Sequence, residues 1–303
     1  MKILTILLAS VLLVLGTIGP SLSLTQATVA KPAMGCSPCP CPDTVGPRHV
    51  DSVLVPRVKP ECGGGGGGAP PNPCSYIEYN YASGIEDDGY ASFGVQGTQV
   101  IYGQSLCSSS YSGSGVAKYV NVYFGPVTSF TGWVSLGYYQ GWNSEGTHYA
   151  ASPGDYYLEV CSNINDCPSS DYQWYDLSTS SGVYPTAGST VTFILSSTCY
   201  PLLFSCPIPT AWTYLIIVSG NIVKSGEFFA PGEYGSANAA IAESHNNDNT
   251  LTAKFTGLST QLADGAMVPW AASYATSSSP YNAEQCSTTE FVMWTSGYSA
   301  PSC

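Results

Sequence analysis

Charged side chains are scarce in this chain. Lys and Arg number 8 and Asp and Glu 20 among 303 residues, so charged residues make up 9%, where about a quarter is usual. With so few basic residues, no positive surface can form to neutralise a phosphate backbone, which argues against nucleic-acid binding. The formal charge of -12 at pH 7 shrinks as carboxylates protonate, so such a chain escapes much of the self-repulsion that unfolds proteins in acid. The composition therefore predicts an acidic environment.

Histidines are also few. His49, His148 and His245 are scattered and form no His-Glu-x-x-His pair, which argues against a zinc hydrolase of that kind. Serine is frequent enough to leave a Ser-His-Asp triad open, but no Gly-x-Ser-x-Gly elbow is found, and a histidine base would be protonated in acid. The sequence predicts neither a metal nor a cofactor.

Long apolar stretches are confined to the N-terminus. Met1 and Lys2 precede a nearly continuous apolar run over residues 3–15, and small residues follow at 20–23. This is the layout of a secretory signal peptide, and the run is short for a membrane span. We therefore predict a signal peptide over residues 1–24, a secreted protein, and no membrane span in the mature chain.

Residues 25–73 differ in composition from the rest of the chain. They are rich in Pro and Cys and contain six consecutive glycines, Gly63 to Gly68, which cannot hold a helix or strand cheaply. No Lys-Ser or Lys-Thr follows the glycines, so a phosphate-binding loop is excluded. The segment is predicted to be a removable pro-region or a surface tether, and residues 74–303 to form the folded domain.

The chain has twelve cysteines, which in an exported protein indicate disulfides. A cluster at 36–41 has no matching second half with zinc-ligand spacing, which favours a disulfide knot. Pairings that would close short loops or tie down the C-terminus are Cys161 with Cys167, Cys199 with Cys206, and Cys286 with Cys303. Spacing alone leaves the connectivity open.

Helical periodicity is absent after Cys74, and strand signals dominate. Segments rich in aromatic and β-branched residues lie at 116–124, 131–139, 156–160, 191–195, 212–218, 251–255 and 291–294. Turn-forming sequences separate them at 152–155, 186–189, 219–221 and 230–233. This pattern predicts an all-β fold, an antiparallel double-sheet β-sandwich.

A few carboxylates lie within apolar or aromatic strand sequence and are the candidates for chemistry. Glu243 ends a run of small residues over 237–242, which would let a ligand approach closely. Glu159 shares a strand face with Tyr157, and Asp176 follows the aromatic run 172–175. Each also fits the polar side of a half-exposed strand.

Five segments, taken in order, resemble motifs of the eqolisins, a family of glutamic peptidases. They are WVSLG at 133–137, YQWYD at 172–176, YPTAGSTV at 184–191, NAAIAE at 238–243 and TEFVMW at 289–294. The resemblance implies a concanavalin-like sandwich and an acid endopeptidase acting on polypeptides. It implies that Glu243 is catalytic and that Trp133, Trp174 and Asp176 contribute to substrate binding.

The resemblance also implies a catalytic glutamine, and here the chain departs from the family. Glu159 stands at that position, and Gly137 stands where the family has an aspartate. Gln140 is the reserve candidate for the role of the glutamine and is otherwise placed among the substrate-binding residues. Two neighbouring carboxyl groups cannot both ionise cheaply, so they share a proton. A protonated Glu159 would then stabilise the oxyanion while ionised Glu243 acts as general base. This combination of protonation states would function only at low pH.

Two other functions fit the same sequence. A carbohydrate-active sandwich would also use two carboxylates flanked by aromatic residues, although no Glu-x-Asp-x-x-Glu run is present. A non-catalytic cell-surface or filament protein would fit the abundance of small and hydroxyl residues and the glycine-rich tether. The oligomeric state is left open.

Overall fold

The structure is a computed structural model that describes residues 80–107, 114–126, 130–143, 147–162, 172–198 and 210–303. The predicted signal peptide at 1–24, the segment 25–73 and the cysteine cluster at 36–41 lie outside these ranges. So do Cys167, Cys199 and Cys206 of the two predicted local disulfides.

The described part of the chain contains fifteen strands and one short helix. In chain order they are β1 (Asn80–Glu86), β2 (Gly94–Val100), β3 (Gly115–Phe124), β4 (Gly132–Trp142), β5 (Tyr149–Cys161), β6 (Tyr172–Asp176), α1 (Leu177–Ser181), β7 (Thr190–Ser197), β8 (Thr210–Val218), β9 (Asn221–Ala230), β10 (Ala237–Ser244), β11 (Thr252–Gln261), β12 (Met267–Pro269), β13 (Ser273–Ser277), β14 (Tyr281–Ser287) and β15 (Glu290–Thr295).

These strands form two antiparallel sheets. The first sheet has seven strands in the order β13-β1-β10-β3-β4-β5-β6. The second has eight, in the order β14-β15-β11-β2-β7-β8-β9 with β12 paired to β11. The predicted all-β antiparallel sandwich is confirmed, and every predicted strand segment overlaps an observed strand.

Alternation of buried side chains builds the core between the sheets. On β8 of the second sheet, Trp212, Tyr214 and Ile216 are buried while the residues between them are partly exposed, the pattern of a strand with one packed face. They belong to one apolar cluster with Val120 and Leu136 of the first sheet. Burial of this alternating set holds the sandwich together.

The first sheet is buried on both faces at its centre, where every residue of β3 is buried. Its second face carries a separate aromatic cluster that includes Tyr119, Tyr123, Tyr139 and Tyr157, with Trp174 packed against it. We refer to this side of the first sheet as the aromatic face. It is the face on which the candidate catalytic carboxylates lie.

Two local predictions were wrong. The sequence 152–155 was predicted to be a turn between strands, but it lies inside β5, where the register with β4 shifts between Tyr139 and Gly141 and Gly154 adopts a φ of 127°. Glycine tolerates such a backbone, so the strand bulges and continues. Helix α1 was not predicted, because five residues are too few to show a helical period.

The predicted pairing of Cys286 with Cys303 is confirmed. This disulfide ties β14 to the last residue of the chain across a separation of 17 residues. Among the described residues, no helix is long and apolar enough to cross a membrane.

Candidate functional site

Glu243 lies near the end of β10, between β1 and β3. Its cross-strand neighbours are Tyr81 on β1 and Ala117 on β3. The preceding residues of β10 are mostly alanine and are buried, which lets the neighbouring strands pack closely. Ala117 also lines the same cleft as Glu243.

Two side chains hold the carboxylate of Glu243. The hydroxyl of Tyr119 donates a hydrogen bond of 2.7 Å to Oε2, and Nε2 of His245 lies 3.2 Å from Oε1. The side chain of His245 is 4% exposed and that of Glu243 is 20% exposed. Burial, and then the charge of Glu243, raise the pKa of Tyr119 well above its ordinary value, so this hydroxyl keeps its proton and acts as a donor.

Glu159 lies on β5, where it faces Ser135 of β4 and Trp174 of β6. Residues paired across antiparallel strands point to the same side of a sheet. The cross-strand pairing continues from Ser135 through Asn121 of β3 to Ala239 of β10. Ala239 lies four residues before Glu243, so the two side chains point to the same face of the sheet. Glu159 and Glu243 thus lie on one face of the sheet, separated by β3 and β4.

One cleft on the aromatic face receives both carboxylates. It is lined by Val116, Ala117, Tyr139, Trp142, Asn143, Tyr157, Glu159, Trp174, Glu243 and His245. After burial, the charges of Glu159 and Glu243 both contribute to raising the pKa of Tyr157, so the two carboxylates act on a single hydroxyl. The cleft therefore combines two acidic groups with aromatic walls.

Trp174 forms one wall of this cleft. Its ring stacks on Tyr157 with centroids 4.4 Å apart and planes at 9°, and it meets Tyr139 edge-on at 5.1 Å. Its indole Nε1 is buried and has no hydrogen-bond partner among the described residues. A buried donor without a partner is costly, and a bound acceptor would relieve that cost.

The other predicted substrate-binding residues lie outside the lining of this cleft. Trp133 is partly buried and packs against the aromatic cluster. The amide of Gln140 is committed to a buried loop contact, in which Oε1 accepts from the backbone N–H of Gln104 at 2.9 Å and Nε2 donates to its carbonyl at 2.7 Å. Alternation on β4 turns Gln140 away from the face that carries Tyr139.

Asp176 is engaged in local structure rather than in the cleft. It is the N-cap of α1, where Oδ1 accepts from the backbone N–H of Thr179 at 2.8 Å. Its Oδ2 lies 2.8 Å from Nε2 of His148. Asp176 thus links the start of the helix to a histidine that precedes β5.

No protein-family model and no curated protein matches this chain. Among solved structures, it is similar to scytalido-glutamic peptidase with a transition state analog inhibitor, at 13% identity and a TM-score of 0.46, over 72% of this chain and 99% of that one. A second structure of that peptidase, with a peptide-based transition state analog, gives 14% identity and a TM-score of 0.43 with the same coverage. The fold class follows from the strand pairing described above, and neither match bears on what the chain does.

Proposed function

We propose that this chain is an acid endopeptidase of the glutamic type, with Glu243 as general base and Glu159 as its partner carboxyl. The observation that carries the proposal is the cleft itself. Glu243, oriented by Tyr119 and His245, opens into the same cleft as Glu159. In many hydrolases, two carboxyl groups in one site act as the general acid and the general base.

The proposed reaction divides its work between the two carboxyl groups. Ionised Glu243 takes a proton from water as the water oxygen bonds to the scissile carbonyl carbon, and the carbonyl π electrons move onto its oxygen. Protonated Glu159 donates a hydrogen bond to that oxyanion. The oxyanion then collapses, the C–N bond breaks, and the proton held by Glu243 passes to the leaving amine.

The walls of the cleft support a polypeptide as the substrate. The partly exposed ring of Trp174 stacks on the buried ring of Tyr157 and gives the cleft a flat apolar wall. Extended peptides combine such apolar contacts with main-chain hydrogen bonds. Secretion behind a signal peptide at 1–24 and release of segment 25–73 are part of the same proposal.

Casein digestion across acidic pH tests this function. We expect cleavage that pepstatin and chelators leave unaffected and that Glu243→Gln abolishes. Glu284→Gln is the matched control, because Glu284 is an exposed strand glutamate on β14 of the other sheet. Binding to oligosaccharide beads without cleavage would favour the carbohydrate-active alternative, and assembly into threads would favour the filament alternative; either result without proteolysis overturns the proposal.

A further inference from the structure

We propose that His148, Asp155 and Asp176 form a binding site for a divalent transition-metal ion, with Zn²⁺ the ion that best suits these donors. The histidine nitrogen and the two carboxylate oxygens lie within 4.8 Å of one another. The first and last of these residues are 28 positions apart in the sequence and match no metal motif, which is why the sequence predicted no metal.

The donor spacings match those of a coordination shell. Nε2 of His148 lies 2.8 Å from Oδ2 of Asp176 and 3.3 Å from Oδ2 of Asp155. Ligands bound about 2.1 Å from a metal lie roughly 3.0 Å apart at octahedral angles and roughly 3.4 Å apart at tetrahedral angles. The two distances from Nε2 of His148 are therefore those of ligands that share one ion.

Each donor is held by local structure. The side chain of Asn143 accepts hydrogen bonds from the backbone N–H groups of Thr147 at 2.8 Å and His148 at 3.1 Å, which fixes the segment that carries the imidazole. Asp155 is 6% exposed on β5. The carboxylate of Asp176 is fixed by Thr179, whose backbone N–H and hydroxyl both donate to it. Such outer contacts orient metal ligands.

The buried hydroxyl of Tyr139, next to His148 and Asp155, is a second observation that favours a bound ligand at this site. Tyr139 is paired with Asp155 across β4 and β5, and its ring meets the His148 ring edge-on with centroids 6.2 Å apart. The residue is 1% exposed, and its hydroxyl has no hydrogen-bond partner in the part of the chain that the structure describes. A metal-bound water would satisfy this hydroxyl.

The donor set indicates which ion binds. One imidazole with two carboxylates suits Zn²⁺ and its transition-metal neighbours, whereas Ca²⁺ and Mg²⁺ prefer oxygen donors alone. Three protein ligands leave at least one position for water. His148 is 37% exposed, which gives an ion a path from solvent.

The test is Zn²⁺ binding to the full-length protein, stripped with a chelator and titrated calorimetrically at pH 7. We expect His148→Gln and Asp155→Asn to weaken this site at least tenfold. Asp176→Asn should do the same while keeping an acceptor for the helix cap. His245→Gln should bind Zn²⁺ as the unmodified protein does, because His245 pairs with Glu243 and lies outside the cluster of His148 with its two aspartates.

Two outcomes overturn the site. Either the unmodified chain binds no Zn²⁺, or its full binding survives in His148→Gln, which would assign the ion elsewhere, for instance to the cysteines at 36–41. Circular dichroism confirms that each variant is folded. The measurement uses no substrate, so its result is independent of the peptidase proposal.

Discussion

The hydroxyl of Tyr119 donates a 2.7 Å hydrogen bond to Oε2 of Glu243. The register of β3 and β10 places Tyr119 opposite Ile241, so the tyrosine reaches diagonally along the sheet to the carboxylate two residues further on. With His245 on the other oxygen, this contact orients the carboxylate of Glu243. The proposed general base is thus held by neighbours on its own sheet.

Tyr119→Phe should lower kcat by about 10- to 100-fold, because a hydrogen bond to a charged group contributes about 1.5–3 kcal/mol. The fold loses the same hydrogen bond, so the unfolding midpoint should also fall, and rates are compared at a temperature where both proteins are folded. Casein cleavage rates check the prediction, with Tyr214→Phe in the core between the sheets as the control. Unchanged cleavage by Tyr119→Phe would remove this tyrosine from the mechanism.

Glu159→Gln should keep peptidase activity and extend it to higher pH. Glu159 must carry a proton to stabilise the oxyanion, whereas an amide donates a hydrogen bond at any pH. The decline in activity that remains should then lie on the acidic side of the pH profile and depend on Glu243 alone. The pH profile of kcat/KM for the two proteins checks this. Complete loss of activity in Glu159→Gln would contradict the assigned role.

Much of the fold could be predicted from the sequence, because alternation, aromatic content and turn residues are local signals. The segment 212–218 was predicted to be a strand because apolar residues occupy every second position, and these residues, Trp212, Tyr214 and Ile216, are the ones that the strand buries. The bulge at 152–155 could not be predicted, since it depends on how β5 pairs with β4.

The candidate site was only partly predictable. Glu159 and Glu243 were found as strand carboxylates, and His245 could have been added because it lies two residues beyond Glu243, at strand spacing. Tyr119 could not, since its contact depends on the register between β3 and β10. The contacts of His148 with Asp155 and Asp176 could not be predicted either, because the three residues lie in a loop, a strand and a helix cap.

The free energy of unfolding should fall as pH rises from about 4.5 to about 7, because of Glu86. This side chain is 7% exposed, receives hydrogen bonds from Asn238 and Thr260, and links β1, β10 and β11. Burial raises the pKa of Glu86 from 4.5 to about 7. The folded protein therefore holds a proton that the unfolded chain releases, so this stabilisation is complete below about pH 4.5 and lost by about pH 7.

Glu86→Gln should remove this slope, which is on the order of 3 kcal/mol across the window. Urea unfolding of both proteins at pH 4 and pH 7.5 measures the difference, and Glu284→Gln should keep the slope of the unmodified protein. An equal slope in Glu86→Gln would show that another group is responsible.

Opening the disulfide between Cys286 and Cys303 should destabilise the domain. Closing a loop of this length lowers the entropy of the unfolded chain and contributes about 3 kcal/mol. The double variant Cys286→Ser with Cys303→Ser avoids a free thiol and should unfold at a lower temperature, by roughly 6–12 °C. Thermal unfolding checks this, and a transition at the original temperature would show that the tail adds nothing to stability.

The most direct test of the central claim is cleavage of casein in acid by the unmodified protein and by Glu243→Gln. If Glu243 activates the water, the unmodified protein cleaves, Glu284→Gln cleaves equally well, and Glu243→Gln loses activity by at least a thousandfold while staying folded. Cleavage by Glu243→Gln at the rate of the unmodified protein, or no cleavage by any of the three, would contradict the account.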